Sequence, residues 1–132
     1  MKVGTVADPR SLLSKAINLL SYRPRSVAEI KQRGLAAAIP QLIELDLLDD
    51  QKFARWWVDQ RLTFRPKGNR ALTAELLAKG IDREIIASVM LTREEETRLA
   101  KKLLVKKNLD KPHAQRYLLA RGFSSDIVFQ LI

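Results

Sequence analysis

One short phrase recurs in this sequence, and the recurrence restricts the fold more than any other feature. Residues 76–86 read LLAKGIDREII, and residues 118–128 read LLARGFSSDIV. The shared pattern is an apolar residue, two positions, a basic residue, Gly, an apolar residue, three positions and Ile. A weaker copy, IKQRGLAAAI, occupies residues 30–39. The glycines fall at Gly34, Gly80 and Gly122, separated by 46 and 42 residues. Spacings of this size mark stacked helical units. Gly suits the left-handed position just past a helix end. Each unit therefore reads as a long helix, a shorter one ending at the Gly, and a third. Such a unit buries little alone, and three in tandem share packing with their neighbours. The expected fold is all-α, with three tandem three-helix repeats over about residues 8–48, 49–90 and 91–132.

The punctuation between these glycines is helical throughout. Asp8-Pro9 pairs a cap with a first-turn proline. Ser26 with Glu29, and Thr92 with Glu95, form capping boxes. Asp50 is expected to cap a helix carrying Phe53, Trp56, Trp57, Gln60 and Phe64 close to one face, and Pro66 ends it. Asn69 opens a helix that Gly80 closes. Asp82, Lys111-Pro112 and Ser124 start the remaining ones. The first unit is shorter than the others, because eight residues separate Ser26 from Gly34 and twelve separate Gly68 from Gly80. Pro40 also falls where the third helix of that unit should begin.

Several function classes lack residues to support them. The chain has no cysteine, so disulfides, thiolate metal sites and a cysteine nucleophile are excluded. Its one histidine, His113, sits in a helix first turn with no second ligand at metal spacing. Asp49-Asp50 and Glu94–Glu96 are explained by helix N-termini. No phosphate loop or dinucleotide fingerprint is present. No enzyme activity, metal or cofactor is expected. The N-terminus lacks a signal-peptide core and no apolar run is long enough to span a membrane. A cytoplasmic location is expected.

The net charge of +9 directs attention to polyanionic partners. Arg61, Arg65, Lys67 and Arg70 surround the turn between the first two helices of the middle unit, and nothing acidic lies between Gln60 and Ala74. Arg61 and Arg65 are one turn apart on one side of their helix. Arg98, Lys102 and Lys106 form an i, i+4, i+8 stripe on the third unit's long helix, beside Lys101. Glu94 and Glu95 are placed to pair with Arg98. The alternative for both groups is a solvated face. Trp57 is expected in the core with Phe53 and Phe64. Trp56, about 100° around the helix, either packs between units or meets a partner.

The stretches LLDDQKFARWWVDQR, KGNRALTAELLAKGI and AQRYLLARGFSSDIV together resemble the RecX family of bacterial RecA regulators. The resemblance covers nearly the whole chain, and its middle unit matches best. It implies an elongated, curved array that binds the groove of the RecA–DNA filament and inhibits filament extension, ATP hydrolysis and strand exchange. On that reading Arg61, Arg65, Lys67, Arg70, Arg98, Lys101, Lys102 and Lys106 are the candidate filament-binding residues. Contact with free DNA is expected to be weak and phosphate-mediated, and the protein monomeric. Two readings compete with it. One is direct, non-sequence-specific DNA binding, since no helix combines the Asn, Gln and Arg used for base readout. The other is a scaffold for an acidic protein.

Overall fold

The computed structural model describes residues 9–132, and all regular structure among them is helical. Nine α-helices follow in order: α1 (Pro9–Tyr22), α2 (Val27–Gln32), α3 (Ile39–Glu44), α4 (Asp50–Phe64), α5 (Asn69–Ala78), α6 (Arg83–Val89), α7 (Arg93–Lys106), α8 (Lys111–Ala120) and α9 (Ser125–Leu131). The expected Asp8 cap lies outside the described residues. The helices group in threes, each group closing on its own apolar core. Ala16, Ile30, Leu35, Ile39, Leu42 and Leu48 fill the first. Phe53, Val58, Leu72, Leu76, Ile81 and Ile86 fill the second. Ala100, Leu103, Leu118, Phe123 and Val128 fill the third. Each fully buried Leu, Ile or Phe contributes roughly 1.5–3 kcal/mol. The first unit is abbreviated as expected: α2 has 6 residues where α5 and α8 have 10. A 3-10 turn, Ala36–Ala38, leads into α3, and Pro40 sits in the first turn of that helix.

The recurrent phrase folds the same way three times. Gly34, Gly80 and Gly122 adopt φ of 76°, 77° and 87°. The N–H groups of Leu35, Ile81 and Phe123 then reach back to the carbonyls of Ile30, Leu76 and Leu118 at 3.2, 3.1 and 3.1 Å. This is the Schellman arrangement, in which the residue after the Gly also packs on the helix it closes. All six of these apolar residues are buried.

Two of the three joints receive the start of the second helix of the preceding unit. The start of α2 sits on the Gly80 joint, where a Cβ on Gly80 would lie 2.4 Å from the Ala28 Cβ. The start of α5 sits on the Gly122 joint, where a Cβ would lie 2.3 Å from the Ala71 Cβ and 2.6 Å from its backbone N. An acidic residue from the next unit's long helix completes each junction. Asp50 accepts from the Val27 N–H at 2.8 Å, and Glu96 accepts from the Asn69 N–H at 2.9 Å. Both N–H groups belong to first-turn positions that have no partner within their own helix.

These contacts revise two expectations. Asp49, not Asp50, caps α4, accepting from the Gln51 and Lys52 N–H groups. Asp50 faces unit one because the helix begins one residue earlier than read, which leaves its carboxylate free of the capping role and able to cross. Glu96 is only 2% exposed and bridges two units rather than facing solvent in a helix first turn. It also accepts from the Ser124 hydroxyl at 3.3 Å. Asp82 and Ser124 occupy N-cap positions without a side-chain capping bond.

Candidate functional site

The basic residues near the α4–α5 turn divide into two kinds. α4 runs out to Phe64 and α5 returns from Asn69, so Arg61 and Glu75, equidistant in sequence from Gly68, meet across the hairpin. Arg61 Nε lies 2.9 Å from Glu75 Oε1, and Lys67 pairs with the other carboxylate oxygen. The Trp57 indole N–H donates to Glu75 Oε1 at 2.8 Å. Burial works against the Glu75 charge, but Lys67, Trp57 and Arg61 together hold its carboxyl below the usual range. Arg65 and Arg70, by contrast, are exposed. Among the described residues neither has a carboxylate within ion-pair distance.

Trp57 is half-buried rather than a core residue. The Arg61 guanidinium lies 4.7 Å from its ring centre, and Lys79 Nζ lies 5.2 Å away. Lys79 also reaches Glu29 of unit one at 3.2 Å, and Arg23 grips the same carboxylate at 2.6 Å. A continuous chain of contacts thus runs Arg23–Glu29–Lys79–Trp57–Arg61–Glu75–Lys67 across two units. Burial opposes the Glu29 charge most strongly as a single effect. Hydrogen bonds from Arg23, the Ser26 N–H and Lys79 outweigh it and bring the carboxyl to about 2. Trp56, also half-buried, lines a hollow of about 380 Å³ between units one and two, beside Leu20, Pro24 and Phe53. Phe64 departs from the expected apolar face and is 72% exposed, because it is the last residue of α4 and the unit's core ends below it.

On α7, Arg98, Lys101, Lys102 and Lys106 are all exposed. The expected ion pair of Arg98 with Glu94 or Glu95 does not form among the described residues: Glu95 accepts from the Thr92 N–H instead, although the nearby Arg98 charge still helps lower its carboxyl. Arg98 and Lys102 line a groove of about 290 Å³ together with Glu95, Leu62 of α4, Leu91 and Leu99. The stripe on unit three therefore adjoins the end of α4. Lys101 faces a separate hollow with Thr97, Gln130 and Leu131. His113 caps with Asp110, 2.5 Å away and exposed. Among the described residues no group of acidic or histidine side chains is arranged to hold a metal, and no helix is long and apolar enough to cross a membrane.

Glu75, Glu96 and Asp50 were not singled out from the sequence as partners. A usable signal for Glu75 was its symmetric placement opposite Arg61 about Gly68. Glu96 offered none, since a first-turn glutamate already has a sufficient local explanation.

The sequence and the helical fold both find counterparts in known proteins. A family model described as RecX, second three-helix domain, matches residues 49–90. Regulatory protein RecX of Mycobacterium sp. (strain JLS) is 32% identical over 140 residues, covering 88% of this chain and 76% of that protein. The chain belongs to the RecX family. Regulatory protein RecX of Listeria innocua is likewise 32% identical, with 89% of this chain matching 51% of a longer protein. The crystal structure of RecX from Lactobacillus salivarius superposes with a TM-score of 0.77 at 27% identity, covering 92% of each chain. A second RecX crystal structure has the same fold, with a TM-score of 0.78 at 24% identity over 92% of this chain and 71% of that one. The RecX relatives are named as regulatory proteins rather than enzymes.

Proposed function

We propose that the chain is a negative regulator of the RecA recombinase. It binds in the groove of the RecA–DNA filament and limits filament extension, ATP hydrolysis and strand exchange. Membership of the RecX family is the observation that carries this reading. The exposed cations support it: Arg65 and Arg70 at the α4–α5 turn, with Arg98, Lys102 and Lys106 on α7, give a positive surface suited to a filament rich in phosphate. The protein acts as a cytoplasmic monomer through its second and third units, about residues 49–90 and 91–132. Arg61 and Lys67 serve the same surface while tied to Glu75.

RecA-dependent ATP hydrolysis on single-stranded DNA, titrated with the protein, tests the proposal. Wild type is expected to inhibit. Arg65→Ala with Arg70→Ala is expected to weaken inhibition about tenfold, since a close interfacial charge contact is worth ~1.5 kcal/mol or more. The pair avoids Arg61, whose removal also strips Glu75 and Trp57 of a partner. Melting should stay within about 0.5 kcal/mol of wild type, as both side chains are exposed. Lys15→Ala with Lys31→Ala is the control and should do much less. Equal inhibition by the Arg65/Arg70 variant removes that turn from the interface. Absence of inhibition by wild type with a matched RecA removes the functional reading.

A further inference from the structure

Three large aromatic side chains stand out from the surface: Tyr22 at 76%, Phe64 at 72% and Phe129 at 58% exposure. Their surroundings differ. Tyr22 precedes Arg23, whose guanidinium is gripped by both Glu29 oxygens. Phe129 lies on α9, where Asp126 and Gln130 are both engaged by Arg93. Phe64 adjoins two exposed arginines that have no carboxylate within ion-pair distance among the described residues. Arg65 follows it directly, Arg70 lies across the turn, and Leu62, two positions back, lines a groove with Arg98, Lys102 and Glu95. Glu75, the acid of this hairpin, is already occupied by Trp57, Arg61 and Lys67. Pro66 stops α4 just beyond Phe64 and leaves the ring at the helix tip with nothing packed over it.

We propose that Phe64 stacks on an unpaired base of single-stranded DNA while Arg65 and Arg70 hold the flanking phosphates. An exposed aromatic ring among unneutralised cations is the combination that single-stranded nucleic acid requires. Every base offers a π-face, so the contact is indifferent to sequence, and the phosphates on either side need only positive charge. Duplex DNA presents no such face, because its bases already stack on each other. The site therefore distinguishes unpaired from paired DNA without reading base edges. The choice of DNA over RNA rests on the filament reading above. The stacking contribution should be insensitive to salt, whereas the phosphate contacts weaken as salt rises.

The test measures binding to labelled oligo(dT), oligo(rU) and a length-matched DNA duplex by fluorescence anisotropy, from low to physiological salt. No recombinase is present, so failure here leaves the filament reading to its own ATP-hydrolysis titration. Wild type should bind oligo(dT) more tightly than the duplex. Phe64→Ala should weaken oligo(dT) binding roughly five- to 150-fold, leaving duplex affinity, melting temperature and the slope of log K against log salt unchanged. Phe64→Trp should retain the preference. Arg65→Ala should instead reduce that slope by roughly 0.7. The proposal is overturned if Phe64→Ala binds oligo(dT) like wild type, including the case where it impairs only filament inhibition and so marks a protein contact. It is equally overturned if the variant loses single strand and duplex alike, if wild type binds no oligo(dT) at low salt, or if oligo(rU) is bound more tightly than oligo(dT).

Discussion

The two junctions between units share one plan and are built from different chemistry. At the first, the contacts are made by side chains. The Ser26 hydroxyl donates to the Lys79 carbonyl at 2.7 Å, Asp50 takes the Val27 N–H, and Lys79 meets Glu29. At the second, backbone meets backbone. The Gly68 N–H donates to the Arg121 carbonyl and the Arg70 N–H to the Gly122 carbonyl, both at 2.9 Å. The residue at the helix cap accounts for the difference. Ser26 projects a hydroxyl that keeps the chains one side chain apart. Gly68 projects nothing, and a Cβ there would lie 2.6 Å from the Phe123 Cα. The first junction is therefore held mainly by charge and hydroxyl contacts, the second by backbone hydrogen bonds that the bare Gly68 allows to form.

The sharpest way to break this contrast is to add one methyl group at each joint. Gly122→Ala should be the most damaging, at about 3 kcal/mol or more, because left-handed strain adds to a clash with the backbone of Ala71. Gly80→Ala should cost less, since its clash is with the Ala28 side chain alone. Gly34→Ala should cost only about 1–2 kcal/mol of backbone strain, having nothing within 4 Å. Urea denaturation of the three variants checks the order. Equal losses would mean that the joints act through φ alone.

Removing the bridging acids gives a smaller effect in the same direction. Glu96→Ala leaves the Asn69 N–H and the Ser124 hydroxyl without their buried acceptor, and should cost about 2–3 kcal/mol. Asp50→Ala orphans only the Val27 N–H in a half-buried site and should cost nearer 1 kcal/mol. Thermal melts of the two variants decide it, and a larger loss for Asp50→Ala would contradict the contrast.

The smallest effect is a difference in acid sensitivity. Glu29 has a folded value of about 2, below its ordinary 4.5. Its stabilisation is complete above the ordinary value and disappears as pH falls from there towards 2. Asp50 works in the opposite sense. Burial, with Asp49, Asp82 and Glu29 nearby, raises its carboxyl against the Val27 hydrogen bond. Its contribution is present at low pH and lost as pH rises through the folded value. Glu29→Gln should therefore melt lower than wild type at neutral pH, yet lose less stability on going to pH 2–3. Melting curves between pH 2 and 7 measure this, and parallel curves for the two proteins would sink the assignment.

Features fixed by neighbouring residues were legible in the sequence. The Gly joints, the Ser26–Glu29 and Thr92–Glu95 boxes and the abbreviated first unit all follow from chain-local geometry. The family resemblance rested on the same stretches. What escaped reading depends on contacts across units or across a hairpin. Asp50, Glu75 and Glu96 each had a sufficient explanation as a helix first-turn or surface acid, and only the folded arrangement shows which orphan N–H or cation each one serves. Phe64 continued the helical period of Phe53 and Trp57, but periodicity does not reveal where the packing partner ends. The expected stripe on α7 was visible as spacing. Its adjacency to Leu62 depended on how α7 lies against α4.

The placement of the tryptophans also determines what can be observed. The chain has two, Trp56 and Trp57. One lines the hollow between units one and two, and the other lies between Arg61 and a Lys79 that is itself held by unit one. Unit three carries no indole. Intrinsic emission therefore senses chiefly the middle unit and its boundary with the first, whereas far-ultraviolet ellipticity averages the helices of all three units. The two signals coincide on denaturation only if the array loses all its units together. Any separation between them measures how independently the third unit comes apart.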